Sequence, residues 1–239
     1  MTETGPKRVI AIIPALNEEG SISLVLEDIP GDRVHETIVV DNGCTDATVQ
    51  IANSCGARVI AENRRGYGNA CQAGLRAAAG ADIVLFLDGD YSDYPEESSL
   101  LLDTMEQGYD MVVGSRLRGK RTRGALPPHS VFGNWLICSL INILCGTHYT
   151  DLGPFRAVSY DKLMLLGMKD PNYGWTVEMA LRAAAAGWRV CEVPVSYRRR
   201  HAGKSKVTGS ITASVKTALK MFIVLIKLRR IMKKEKRLN

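Results

Sequence analysis

The 239-residue sequence predicts an α/β fold: a mostly parallel, doubly wound sheet, helices on both faces, and a basic amphipathic helix at the C-terminal end. Two observations predict it. Short apolar runs alternate with helical stretches of roughly a dozen residues, the pattern of repeated βαβ units. The run Val84-Leu85-Phe86-Leu87 is apolar without alternation, as a strand covered on both faces must be. That run then ends in Asp88-Gly89-Asp90, and open parallel sheets bind ligands at the carboxyl ends of their strands.

Taken in order, Val9-Ile10-Ala11-Ile12-Ile13 is a strand ended by Pro14. Asn17-Glu18-Glu19 opens a helix through about Asp28, its acidic residues placed where the helix dipole favours them. Thr37 to Val40 is the second strand, ending at Asp41; Cys44-Thr45-Asp46 turns into a helix through Ala52, with Thr45 as its cap. Ala57 to Ile60 is a third strand, and the segment from Asn63 leads into an alanine-rich helix ending near Gly80. After the Val84–Leu87 strand, Pro95 begins a helix to Gln107, Pro being tolerated in a first turn. Asp110 to Gly114 is a fifth strand. Beyond it lie a basic loop (116–128), an apolar helix (131–145), a strand near Gly153–Val158, a helix from Thr176 to Ala186, a strand from Val190 to Tyr197, a second basic loop (198–209) and a final helix from Ile211.

With 46% apolar and 23% charged residues the chain can bury a sizeable core. We expect one domain over 1–210, with 1–115 and 116–210 as its two halves, followed by the helix 211–239. The net charge of +6 favours nucleotides, phosphates or an anionic membrane surface; no nucleic acid is expected. The six cysteines form no C-x-x-C pair, so neither a disulfide framework nor a zinc site is suggested, and reduced thiols in a cytoplasmic protein are expected. The N-terminus has no signal-peptide h-region.

Asp88 and Asp90 suit a hard divalent cation, Mg²⁺ or Mn²⁺, which prefers carboxylate oxygens and shares its shell with phosphates. Gly89 would let backbone approach the ligand. Asp and Gly also make ordinary surface turns, so the motif alone is weak.

Its neighbours add weight. Ile13-Pro14-Ala15-Leu16-Asn17-Glu18-Glu19, Val39-Val40-Asp41-Asn42-Gly43-Cys44-Thr45-Asp46 and Asp88-Gly89-Asp90 would share one sheet edge. Together they resemble the first-strand, V-D-D-G-S-x-D and Asp-x-Asp motifs of the large inverting family 2 of nucleotide-sugar glycosyltransferases, with Asn and Cys replacing two residues of the second motif. The likeness covers nearly the whole chain. Thr150-Asp151-Leu152-Gly153-Pro154-Phe155-Arg156 and Tyr197-Arg198-Arg199-Arg200-His201-Ala202-Gly203-Lys204-Ser205-Lys206 are similar to the D-x-x-S-x-F-R segment and R-x-x-G-x-S-K loop of its polyprenyl-phosphate, dolichyl-phosphate-mannose-synthase-like branch.

The resemblance implies a GT-A catalytic domain over 1–210, with a nucleotide-binding half (1–115) and an acceptor-binding half (116–210), and a metal-dependent inverting transfer of a hexose from a UDP- or GDP-sugar to polyprenyl phosphate. It implies that Pro14, Ala15, Asn17 and Glu18 line the base and ribose, that Asp41 accepts a hydrogen bond from the base, and that Arg65 and Gly66 approach the nucleotide. Helix capping would explain Asn17 and Glu18 as well, and a helix start Arg65 and Gly66. Arg200, Lys204, Ser205 and Lys206 would close over the phosphates; by spacing alone they are a solvated basic loop. A phosphate acceptor is already anionic and needs cations rather than a base. Arg116 and Arg156 are the candidates, with Asp151 orienting one of them. Glu178 stands where other members place an acceptor-side acid, and a plain helix residue paired with Arg is the alternative. A hydroxyl acceptor using such a base stays open, as does a nucleotide-binding module without turnover.

No apolar run reaches the roughly 20 residues of a spanning helix. The final helix carries Met221–Ile226 followed by Lys227, Arg229, Arg230, Lys233 and Lys234, a basic helix with an apolar side. It reads as interfacial, or as docked on the domain. We therefore expect a peripheral protein at the cytoplasmic membrane face, with homo-oligomerisation left open. Helix 131–145 is either core or a lipid-facing groove.

Overall fold

A computed structural model describes residues 7–203. The first half alternates β1 (Val9–Ala15), α1 (Ile22–Asp28), β2 (Glu36–Asp41), α2 (Thr48–Ser54), β3 (Arg58–Ala61), α3 (Tyr67–Ala77) and β4 (Ile83–Phe86). A 3₁₀ turn, Pro95–Glu97, leads into α4 (Ser98–Glu106) and β5 (Met111–Ser115). Then follow α5 (Pro128–Cys145), β6 (Arg156–Ser159), α6 (Tyr160–Leu165), α7 (Trp175–Ala185) and β7 (Val190–Pro194). The seven strands form one sheet in the order β3-β2-β1-β4-β6-β5-β7.

Side chains alternate across each strand and divide the core in two. Ile10, Ile12, Val84 and Phe86 face α3, α5 and α7; Val9, Ala11, Ile13, Ile83 and Leu85 face α1, α2 and α4. Both faces are covered, which is why the strands read as unbroken apolar runs.

All pairings are parallel except those of β6, which runs against both β4 and β5. The expectation of a mostly parallel sheet holds with this one reversal. A four-residue strand buried on both faces carries no directional signal. The reversal matters for the site. Arg156, at the start of β6, pairs with Phe86 and Val113 near the ends of β4 and β5. The segment before β6 is thereby delivered to the carboxyl edge of the sheet.

Local corrections concern the loops. Asn17 does not open a helix: its φ is 56°, and α1 begins only at Ile22, after Ser21 and Ile22 donate to the Glu18 carbonyl. Thr45 does not cap α2; Asp46 accepts from the Thr48 amide at 3.1 Å. Helix α6 was not foreseen. The helix expected at 131–145 is longer, and it corrects the reading that no segment reaches spanning length. By length and composition the 18-residue α5 is apolar enough to cross a membrane, yet Ile137, Cys138 and Ile141 pack on the domain. The predicted helix 211–239 and Lys204, Ser205 and Lys206 lie outside the described residues.

Candidate active site

The carboxyl edge opens into a cleft of about 730 Å³. Pro14, Ala15 and Glu18 after β1, Asn42 after β2, and Arg65 and Gly66 before α3 line one side. Asp88, Gly89 and Asp90 form the floor. Arg116 after β5, Asp151 before β6, and Tyr197 and Arg200 after β7 line the middle. The far wall is largely apolar: Leu126, Val131, Phe132, Leu136 and Ile137, mostly from α5, with Leu152, and the same helix adds His129, Ser130 and Asn134.

The floor is a concentration of carboxylates. Asp88 has its carboxyl raised well above the ordinary range, first by burial and then by the charges of Asp90 and Asp93. Asp93 is buried, and neither of its oxygens has a hydrogen-bond partner among the described residues. Its carboxyl is pushed up to about 7 by burial, against the pull of Arg116 and with the help of Asp90 and Asp151.

Two arginines answer this charge. Arg116 donates from its backbone amide and Nε to Asp151 Oδ2 at 2.9 and 2.8 Å, and from Nη2 to Oδ1 at 2.7 Å. Burial opposes the guanidinium charge, but Asp151, Tyr197 and Asp93 hold it well above its ordinary value. Asp151 is placed in turn by Glu192 of β7, which accepts from the Asp151 amide at 3.1 Å and the Thr150 amide at 2.8 Å. Arg200 pairs with Asp90 Oδ2 at 2.9 Å and with Glu18. It thus bridges the β1 loop and the floor.

The loop after β7 is stapled over the floor. Arg198 donates from its amide to the Ser92 carbonyl at 2.9 Å and from Nε to the Tyr91 carbonyl at 2.7 Å, and its guanidinium stacks on the rings of Tyr91 and Tyr94. Tyr91 holds a left-handed φ of 60°, costly for an aromatic residue and enforced by these contacts.

The cleft brings together Pro14, Ala15, Glu18, Arg65, Gly66, Asp88, Gly89, Asp90, Arg116, Asp151 and Arg200 of the expected residues. Four others stand elsewhere. Asn17 bonds Thr45, its Oδ1 accepting from the Thr45 amide at 2.8 Å. Asp41 accepts from the amides of Gly43 and Cys44 at 2.9 and 2.6 Å and so shapes its own loop. Arg156 is 1% exposed, on the core side of β6. Its guanidinium donates to the Gly153 carbonyl, and burial lowers its pKa, so the expectation that it meets an acceptor phosphate is corrected.

Glu178 is buried in α7 and is not among the residues lining the cleft. Its Oε2 accepts from the amides of Lys169 and Asp170 at 2.9 and 2.6 Å, and its Oε1 from Arg182 Nε at 2.8 Å. With its oxygens so engaged it does not stand as a base; it holds the 169–172 loop. That loop seats against the start of α3, where Gly66 (φ 135°) and Gly68 leave room. A Cβ at either would come within 2.2 Å of the Pro171 carbonyl oxygen or 2.0 Å of the Asp170 one. Tyr173 then stacks on Tyr67, both at the cleft.

Asn42 and Asp93 are site residues that the motifs alone do not reveal. Asn42 donates to the carbonyls of Glu62 and Arg64 at 2.8 and 2.9 Å and accepts from the Gly66 amide at 2.8 Å, three bonds that a carboxylate could not all make. Its replacement of Asp in the second motif was the available signal.

Residues 10–162 match the family described as Glycosyl transferase family 2. A dolichyl-phosphate hexose transferase of Haloferax volcanii is 34% identical over 214 residues, spanning 87% of this chain and 90% of that protein. An undecaprenyl-phosphate mannosyltransferase of Micrococcus luteus is 31% identical over 218 residues, or 85% and 89% of the two chains. An uncharacterized glycosyltransferase of Mycobacterium tuberculosis is 37% identical over 209 residues, or 87% and 93%. Among solved structures, glucosyl-3-phosphoglycerate synthase of M. tuberculosis, in complex with Mn²⁺, uridine diphosphate and phosphoglyceric acid, superposes with a TM-score of 0.75. It covers 93% of this chain and 78% of that one at 23% identity, a likeness of fold. The sheet, the floor carboxylates and these matches lead to one conclusion: the chain belongs to glycosyl transferase family 2, has the GT-A fold and is a glycosyltransferase.

Proposed function

We propose that the enzyme transfers a hexose from a UDP- or GDP-sugar to polyprenyl phosphate at a membrane surface. The observation that supports this most is the two-ended cleft. One end offers carboxylates and arginines, and the other offers the apolar wall of α5. A diphosphate donor and a phosphate on an apolar chain need such a combination, and a small polar acceptor has no use for the wall. The Haloferax dolichyl-phosphate hexose transferase and the Micrococcus undecaprenyl-phosphate mannosyltransferase carry names of this acceptor class.

The floor fits a divalent cation. Asp88, Asp90 and Asp93, the last with no hydrogen-bond partner for its carboxyl among the described residues, crowd carboxyl groups whose ionisation a bound cation would favour and which Arg116 and Arg200 only partly offset. Among the described residues no group of three or more His, Cys, Asp and Glu is arranged to hold a metal, so Asp88 and Asp90 would hold Mg²⁺ or Mn²⁺ with phosphate and water oxygens completing the shell. Such a cation supplies charge neutralisation at the departing nucleoside diphosphate. Pro14, Ala15, Glu18, Arg65 and Gly66 border the space left for the nucleotide. Arg116, preset by Asp151, orients the acceptor phosphate for attack at the sugar's C1. That nucleophile needs no base, which agrees with the engaged carboxylate of Glu178.

Incubation with a panel of nucleotide sugars and a polyprenyl phosphate tests the proposal. The expected product is a polyprenyl glycosyl phosphate, identified by mass and cleaved by mild acid. Acid-stable glycosides formed on hydroxyl acceptors alone would reject it.

A further inference from the structure

We propose that the outer face of α5, with the basic loop before it, is a docking surface for an anionic bilayer; this rests on the lipid-phosphate reading above. Helix α5 is apolar on the side turned away from the domain. Ile137, Cys138 and Ile141 are buried. Asn134 and Asn142 pin the helix to the segment before β6, donating to the carbonyls of Thr150 and Tyr149 at 3.0 and 2.8 Å. On the opposite side Phe132, Trp135, Leu136 and Ile143 share one stripe at helical spacing, broken only by the half-buried Ser139, and are 62%, 56%, 41% and 80% exposed. A surface helix ordinarily turns polar residues to water, and an exposed, largely apolar stripe marks an interaction surface.

Two further observations choose the bilayer as occupant. The first is charge. Arg118, Lys120, Arg121 and Arg123 are exposed on the loop leading into α5, and exposed Arg199 joins them by donating to the Arg123 carbonyl at 3.0 Å. Basic groups beside an apolar stripe complement anionic headgroups, and tryptophan favours that boundary. The second is continuity. Phe132 and Leu136 belong both to the stripe and to the cleft wall, so the apolar end of the cleft opens onto this face. A polyprenyl chain whose phosphate reached Arg116 could leave directly into the membrane.

The test uses the full chain and vesicles of phosphatidylcholine with or without phosphatidylglycerol. Wild-type protein should sediment with the anionic vesicles, and brominated lipid should quench its fluorescence by a component that Trp135→Phe removes. Trp135→Ser combined with Ile143→Glu, both outside the cleft lining, should weaken vesicle binding roughly tenfold or more. That variant should lose transfer to a long-chain acceptor in vesicles while keeping donor hydrolysis and transfer to a short, water-soluble polyprenyl phosphate. Leu100→Glu, on α4 across the sheet, should bind vesicles like wild type. Equal vesicle binding by the double variant would overturn the proposal. So would concentration-dependent self-association of wild type that the double variant abolishes, since a second copy would then cover the stripe. Vesicle binding that depends on Trp135 and Ile143, without transfer to any lipid phosphate, would leave the docking surface standing and count against the acceptor instead.

Discussion

Asp151 grips Arg116 through both its backbone amide and its guanidinium, and this pair stands between the carboxylate floor and the apolar wall of the cleft. Removing one partner of such a buried pair leaves an uncompensated charge, a loss of about 3–5 kcal/mol. Asp151→Ala should therefore lower stability by that order and transfer by more than about a hundredfold. Asp151→Asn should be milder in stability. Urea unfolding and steady-state kinetics check both. An Asp151→Ala enzyme with ordinary kinetics would show that Arg116 needs no orientation.

Glu178 is a positioning residue here. In Glu178→Gln the carbonyl oxygen can still accept from the 169–170 amides, but the new NH₂ faces Arg182. We expect a lower melting temperature, a rate loss below about tenfold and an unchanged pH–rate profile. A loss beyond about a thousandfold in a folded protein would restore Glu178 as a general base.

Gly68→Ala places a Cβ 2.0 Å from the Asp170 carbonyl oxygen, so the backbone must move. The expected cost is about 1–3 kcal/mol. The 169–172 loop should shift from the cleft and raise the KM for donor more than it lowers kcat. Unchanged stability and KM would mean that the loop yields freely.

The legible part of the site was its strand ends. Asp88 and Asp90 follow an unbroken apolar run, and a parallel sheet aims such residues at one edge. Direction of a short strand is not written in its apolarity, so the reversal of β6 could not be read. That reversal delivers Asp151 to Arg116 and turns Arg156 into the core. Asn17 and Asp41 carry the right chemistry but use it on neighbouring loop amides, a choice made by backbone geometry that sequence spacing does not encode. Periodicity likewise identified α5 without telling which of its apolar faces would be covered.

Asp93 gives a pH dependence. Its carboxyl lies at about 7 in the folded protein against an ordinary 3.8, so the folded state keeps its proton to higher pH than the unfolded state does. Stability from this group is present below its ordinary value and lost as pH rises toward 7. Metal-free protein should lose up to about 4 kcal/mol from this residue across that range. Asp93→Asn should flatten the dependence. Urea unfolding in EDTA at pH 5 and pH 8 measures it; equal pH dependence in both proteins would contradict the burial argument.

We propose that the acceptor is a lipid phosphate attacking through its own oxygen, with the floor carboxylates binding a divalent cation. Phosphorus NMR of one reaction mixture follows all participants. With Mn²⁺ replaced by Mg²⁺ to avoid broadening, the polyprenyl monoester signal should decline as a phosphodiester signal and nucleoside diphosphate rise in equal amounts. EDTA, Asp88→Ala and Asp90→Ala should each stop all three changes. Nucleoside diphosphate accumulating while the monoester signal stays constant, or full turnover in EDTA, would contradict the account.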